Sequence, residues 1–473
     1  MTDPAALPVR ELLDRMKAGV LSPVEVTQDA LKRAEAINDT LAAFVTLDPE
    51  GALEAARESE RRYRSGQPRP LDGVPFPVKD TEDTKGLRTT YGSRLYADHV
   101  PAQDNVTVTA LRDAGAIIIG KTTTSPFAHR LDTSGVGPAA RHPDDPVRSS
   151  GGSSGGAATA VAAGVCRVAH GSDGAGSVRL PAALCGIVGF KPTYGRIPRW
   201  PSSDAWAARS HHGVLGRTVD DVALAMTGLA RLDYRDPLTC WDQPEWAAVQ
   251  PTDRPDRLSV AFALPDGEVD AEVAEAIRAA VDQLRAAGLR VDEIDLGLGS
   301  QAELFDRICT ANLAWDLRGV DRHDERVENS LVSMIQYGEH LDLTEYLQAR
   351  EQRGRLNHQV VSALDGYDFL LTGTVPFESW PVAERPAVNG RVLPNSVSER
   401  LDQLLIFNLL GWPAVSVPCG RTARPSGWAG LQVVARRGAD IGCLQLASWV
   451  ERTLAVPRDP GGDLVGAEQH ETS

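Results

Sequence analysis

Three short stretches carry residue types that could break an acyl bond. "GVPFPVKD" ends an apolar run on Lys79, "GGSSGG" sets Ser153 and Ser154 among glycines, and "GSDGAGSVRLPA" places Ser177 behind a run of small residues. A lysine embedded in apolar chain loses hydration, so its pKa falls from about 10.4 toward neutrality and its amine becomes a usable base. Small residues before a serine let consecutive backbone N–H groups converge on one point, which is what a developing oxyanion needs. Each stretch also has a plainer reading: a strand lysine reaching solvent, a flexible turn, a capped helix start. Their coexistence in one chain favours a hydroxyl nucleophile served by an amine base.

A fourth stretch invites the wrong chemistry. Gly115 to Thr122, "GAIIIGKT", satisfies the letter pattern of a phosphate-binding loop. Such a loop must curl its N–H groups around phosphates, whereas an alanine and three isoleucines are suited to extended chain. Lys121 is therefore read as a strand-end lysine, not a nucleotide ligand.

The elements that must hold these residues alternate between helix and strand. Ser22-Pro23-Val24-Glu25 forms a capping box with proline at the first helical position, so a helix should run toward Asn38. A charged helix follows around Leu53 to Arg64. "GVPFPVKD" and "AIIIG" (Ala116 to Gly120) read as short buried strands. Gly151 to Gly189 is dominated by Gly, Ala, Ser and Val, which lets backbones pack closely. Further strands are expected at Leu258 to Leu264, Leu289 to Leu296, Tyr367 to Thr372, Ala414 to Pro418 and Leu431 to Ala435, with a helix near Ala271 to Ala287. The class is α/β. Residues 236–257 read as a surface connection, and 458–473 as a polar C-terminal tail.

The 473 residues are 42% hydrophobic and 24% charged, enough for a large core. No apolar run approaches the roughly 20 residues that span a bilayer, and no secretion signal leads the chain, so a cytoplasmic location is expected. The six cysteines are scattered without a paired motif and are read as reduced packing residues. A net charge of −15 disfavours nucleic acid and favours small neutral or cationic substrates. His129, His170, His211 and His212 are taken as structural or substrate-facing, so no metal is expected.

Together the motifs resemble the amidase signature family. The matching core runs from about Leu71 to Thr218 and includes "SSGGSSGGAATAVAAG", "GSDGAGSVRLPAALCGIVGFKPTYGR" and "GVLGRTVDDVALAM" in family order. The flanks "LSPVEVTQDALKRAEAIN" and "GWPAVSVPCG" are similar too, so nearly the whole chain is covered. The resemblance implies a single amidase domain over 1–457, an α/β/α fold with a large mixed central sheet flanked by helices. It implies a Ser-Ser-Lys triad in which the family's 24-residue spacing between serines selects Ser153, leaving Ser154 as its neighbour. Ser177 would attack the amide carbon and pass its proton through Ser153 to Lys79, with the N–H groups of Gly174, Ala175, Gly176 and Ser177 holding the oxyanion. The peptide bond from Gly152 to Ser153 would be cis, and no cofactor is called for.

Three departures from the family are visible: Ala175 stands where a glycine is usual, Pro126 precedes Phe127 where the amidase chains of amidotransferases carry an acidic residue, and Gly373 stands where a proline is common. Ser154 and Phe127 are taken as substrate contacts, and the segments around Arg196 to His212 and Leu304 to Gln352 as those that shape the pocket. Trp200, Trp206, Pro198 and Pro201 suggest an apolar site. The expected activity is hydrolysis of neutral aryl or alkyl amides, with carbamates (urethanes) or esters also accepted, by a monomer or homodimer without nucleic-acid or membrane partners. The alternatives are the glutamine amidase subunit of a tRNA-dependent amidotransferase and a non-catalytic ligand-binding scaffold.

Overall fold

The computed structural model describes residues 3–201, 210–239, 242–264, 268–393, 401–424 and 426–457. Among these, eight strands form a central sheet in the order Arg290–Glu293, Ser259–Ala263, Phe369–Gly373, Trp428–Ala435, Ala414–Arg421, Val188–Lys191, His211–Gly216, Val168–Asp173. The first three run parallel and the remaining neighbours pair antiparallel, so the sheet is mixed.

Strand alternation divides the core into layers. Phe262, Leu371, Val415 and Val433 turn to one face, where they meet Val222, Met226, Ile277 and Leu444. Their chain neighbours Ala261, Leu370, Ala414 and Val434 turn to the other, against Leu180, Leu184, Leu304 and Leu405. Helices thus cover both faces, and a third apolar cluster fastens the N-terminal helix through Ala30, Ala34 and Ile37 to Ala157 and Val161. That N-terminal helix spans Pro23–Leu41 and carries the expected capping box between Ser22 and Glu25.

The segment carrying the lysine is less regular than expected. Only Val78–Lys79 forms a strand, parallel to Gly120–Thr122, with an isolated bridge between Pro75 and Ile117. Pro75 and Pro77 have no N–H to give, so the ladder is interrupted, although Phe76 N–H still donates to Ile117 O at 2.7 Å. Residues 236–257 are likewise not wholly a surface connection, because Trp246 and Val249 are buried in the main core. No helix among the described residues is long and apolar enough to cross a membrane.

Candidate active site

Lys79, at the end of its short strand, lies beside the sheet-edge strand Val168–Asp173, and His170 N–H donates to Pro77 O at 3.0 Å. This docking brings the lysine amine under Ser172. Lys79 Nζ is fully buried and lies 2.8 Å from Ser153 Oγ, 2.9 Å from Ser172 Oγ and 3.3 Å from Ser172 O. Burial pushes its pKa down to about 7, against the opposing pull of Glu82 and Asp173. A neutral amine has two N–H donors and one lone pair, so three oxygen neighbours are matched when one hydroxyl donates to it. Ser172 O can only accept, which leaves a serine hydroxyl to supply that proton.

Ser153 sits in the loop before the helix Gly155–Ala162, and Ser177 in the turn between Val168–Asp173 and the helix Arg179–Leu184. The two segments are tied by Ser154 N–H donating to Ser177 O at 3.3 Å. The Gly152–Ser153 peptide bond is cis. A side chain at Gly152 would place its Cβ 2.2 Å from Asp132 O, so only glycine fits this approach.

The turn before Ser177 is organised by Asp173. Its carboxylate accepts from Gly176 N–H at 2.7 Å and Val178 N–H at 3.2 Å, and is paired with the fully buried Arg179 at 2.9 Å. Burial alone would raise its pKa, but the charge and hydrogen bonds of Arg179 hold it well below the usual carboxylate range. Asn408 and Gln432 complete the network around these two charges. One expectation is corrected here: Gly176 N–H is committed to Asp173, and Gly176 does not line the cavity as Gly174, Ala175 and Ser177 do.

The cavity in front of the serines has a volume of about 720 Å³. Ser153 and Ser177 open onto it, and its apolar walls include Phe127, Phe305, Leu313 and Met334. Phe127 is thus a wall residue of this cavity. Ser154, taken above as a substrate contact, is not a wall residue, being fully buried, with its hydroxyl donating to Ser172 O at 3.2 Å and accepting from Ser172 N–H at 3.3 Å. The wall segment containing Phe305, Leu313, Met334 and Tyr337 falls within the stretch Leu304 to Gln352, as anticipated. Trp200 and Pro201 instead line a smaller adjoining chamber, and Trp206 lies outside the described residues. Ser172 was overlooked in the sequence, although strand alternation from His170 places it on the face that meets Lys79.

The nearest approach to a metal-binding set among the described residues is Glu82, His170 and His212, whose ligand atoms lie within 4.8 Å of one another. His170 Nε2 and His212 Nδ1 are 3.0 Å apart and share a proton, while the buried His170 Nδ1 has no hydrogen-bond partner. The two imidazoles are hydrogen-bonded to each other, and Glu82 Oε1 lies 3.8 Å from His212 Nδ1. Burial lowers the pKa of His170 to about 3 and of His212 to about 4. Lys121, the lysine of the apparent phosphate loop, is fully buried and donates to Glu82 O, to Thr84 Oγ1 at 2.9 Å and to Thr89 Oγ1 at 3.1 Å. It holds a loop together and faces no ligand space.

A mixed sheet between helical layers, with two loop serines and a buried lysine gathered beside its edge strand Val168–Asp173, is the arrangement of an amidase-type hydrolase. A sequence model of the amidase family matches residues 25–444, and the chain belongs to that family. An acylamidase of Rhodococcus erythropolis is 33% identical over 93% of this chain and 94% of its own. One of the subunits of the glutamyl-tRNA(Gln) amidotransferase of Symbiobacterium thermophilum is 32% identical over 91% of this chain and 93% of its own. Among solved structures, a bacterial aryl acylamidase superposes with a TM-score of 0.85 at 26% identity, covering 95% of this chain and 97% of that one. The protein is accordingly an amidase acting on C–N bonds.

Proposed function

We propose that the protein is a stand-alone serine amidohydrolase in which Ser177 is the nucleophile, Ser153 the proton relay and Lys79 the base. The observation that carries this reading is the buried amine of Lys79 2.8 Å behind Ser153 Oγ, with Ser153 and Ser177 both opening onto the same cavity. Neutral Lys79 accepts the Ser153 proton as Ser153 accepts that of Ser177, and Ser177 Oγ adds to the carbonyl carbon. N–H groups on the Gly174, Ala175 and Ser177 side of the turn hold the oxyanion, with Gly176 left to Asp173. The relay returns its proton to the departing nitrogen, and water, activated by the same relay, hydrolyses the acyl-enzyme.

The apolar cavity walls favour neutral aryl or alkyl acyl groups, and a carbamate differs only by an oxygen on the acyl side, so urethanes and aryl esters are included. The test compares kcat/KM for a nitroanilide, its matched carbamate and glutamine. Hydrolysis of the anilide or carbamate without partner chains is expected. The relatedness to amidotransferase chains supports a second reading, and a strong preference for glutamine with the other two untouched would establish it instead.

A further inference from the structure

A second chamber of about 210 Å³ adjoins the main cavity, and the two share Phe127, Ala128, Ser172 and Ser210 in their walls. We infer that this chamber takes the amine half of the amide and selects amines bearing a further ammonium or N–H donor group. The inference rests on the serine-lysine reading above.

Direction comes from the proton path. The departing nitrogen must receive its proton from Ser153 and Lys79, so it leaves on the side of the carbonyl carbon where that relay lies. Ser172, whose hydroxyl is 2.9 Å from Lys79 Nζ, is the wall residue at which the small chamber meets the relay. Ser153, Ser177 and Ala175 line the large cavity alone, so the carbonyl sits there at the mouth of the small chamber, and the remaining space, walled by Phe305, Leu313 and Met334 with Glu303 and Asp306 toward one side, is left to the acyl half.

Selection comes from the chamber's polar wall. Glu82, Asp83, Tyr91, Asn105, Arg199 and His212 face it. Glu82 is buried; burial alone would raise its pKa, but His212, His170 and Arg199 together hold it down to about 2, and with both imidazoles neutral above pH 4 the Arg199 guanidinium is the charge that remains beside it at pH 8. It accepts from Thr81 Oγ1 at 2.9 Å and from Asn105 Nδ2, and a carboxylate offers about four lone-pair sites, so acceptor capacity remains. Asp83 accepts from Tyr91 Oη. Arg199, the cation of this wall, donates to Ser210 O at 2.9 Å, so the described lining carries two carboxylates against one guanidinium. An apolar amine here would strip water from a buried carboxylate without replacing it, whereas an ammonium would form a charge-assisted hydrogen bond.

The test uses two amides with the same aryl acyl group, one N-(2-aminoethyl) and one N-propyl. At pH 8 kcat/KM should favour the aminoethyl amide by about tenfold or more. That ratio should fall toward one in Glu82→Gln and decline in Asp83→Asn. Because Glu82→Gln could disturb a buried network, product inhibition of the unaltered enzyme gives an independent readout: 1,2-diaminoethane should inhibit at concentrations where propylamine does not. A ratio near one in the unaltered enzyme, or a preference that survives both substitutions, overturns the chamber assignment. Fluorophosphonate labelling of Ser177 separates this from failure of the underlying mechanism. Labelled Ser177 with no amine preference refutes only the chamber, and absence of labelling refutes the mechanism.

Discussion

At the scale of single residues, the proposed catalysis depends on one buried amine. Lys79 must be neutral to accept a proton, and burial sets its pKa at about 7, so kcat should climb as pH rises through about 7 and then level off. A rate that falls over the same interval would show that the active form is the protonated lysine. Lys79→Ala should remove nearly all turnover, while Ser153→Ala should keep a residue of activity if water can bridge the 2.8 Å contact it vacates. The proposed nucleophile, relay and base stand out in the sequence because glycine and small-residue runs around Ser153 and Ser177, and the apolar run before Lys79, mark places where backbone must approach a site. Ser172 and Glu82 were not. A serine inside a strand and a glutamate three residues after a lysine look like many others until two distant segments are docked together.

The elements act by holding loops that would otherwise relax. Asp173 and Arg179 are both fully buried, so removing one leaves an uncompensated charge, which costs about 3–5 kcal/mol. Arg179→Met should therefore lower the urea midpoint strongly, and Asp173→Asn in the same chain should recover part of the loss. Full stability in Arg179→Met alone would show that the pair does not organise the turn. Gly176, at φ +103 with its missing Cβ 2.4 Å from Leu404 Cδ1, and Gly152, against Asp132 O, give a second check. Gly152→Ala should destabilise by about 1–3 kcal/mol and reduce turnover by moving Ser153. Strand positions such as Ser259–Ala263 and Phe369–Gly373 were readable from β-branched and apolar runs. The strand expected over Gly73 to Asp80 shrank to two residues, because two prolines in a short run outweigh its hydrophobicity.

At the scale of the whole molecule, burial of basic groups couples folding to pH. Lys79 and Lys191 are lowered to about 7 and Lys121 to about 8, all chiefly by burial, so between those values and their unfolded pKa near 10.5 the unfolded chain binds more protons. Stability from these groups is fully present above the unfolded value and is lost as pH falls through 8 and 7. His170 and His212 act in the same sense at lower pH. The thermal midpoint should thus be higher at pH 8 than at pH 6, and a midpoint that falls over this interval would contradict the burial of these groups as neutral bases. Chelation by EDTA should change neither midpoint nor rate, and activity lost in EDTA but restored by zinc would return Glu82, His170 and His212 to consideration as ligands. The α/β class and the location of pocket-shaping segments were legible in the chain, whereas the division of the site into two chambers depends on which walls Phe127 and Ser172 share. The assignment of Ser177 as nucleophile is checked by the intact mass of the full chain after reaction with a fluorophosphonate, followed by peptide mapping of the adduct. A single adduct on Ser177, absent from an inactive Ser177→Ala variant, is predicted; an adduct on another serine, or turnover by the variant, would contradict the account.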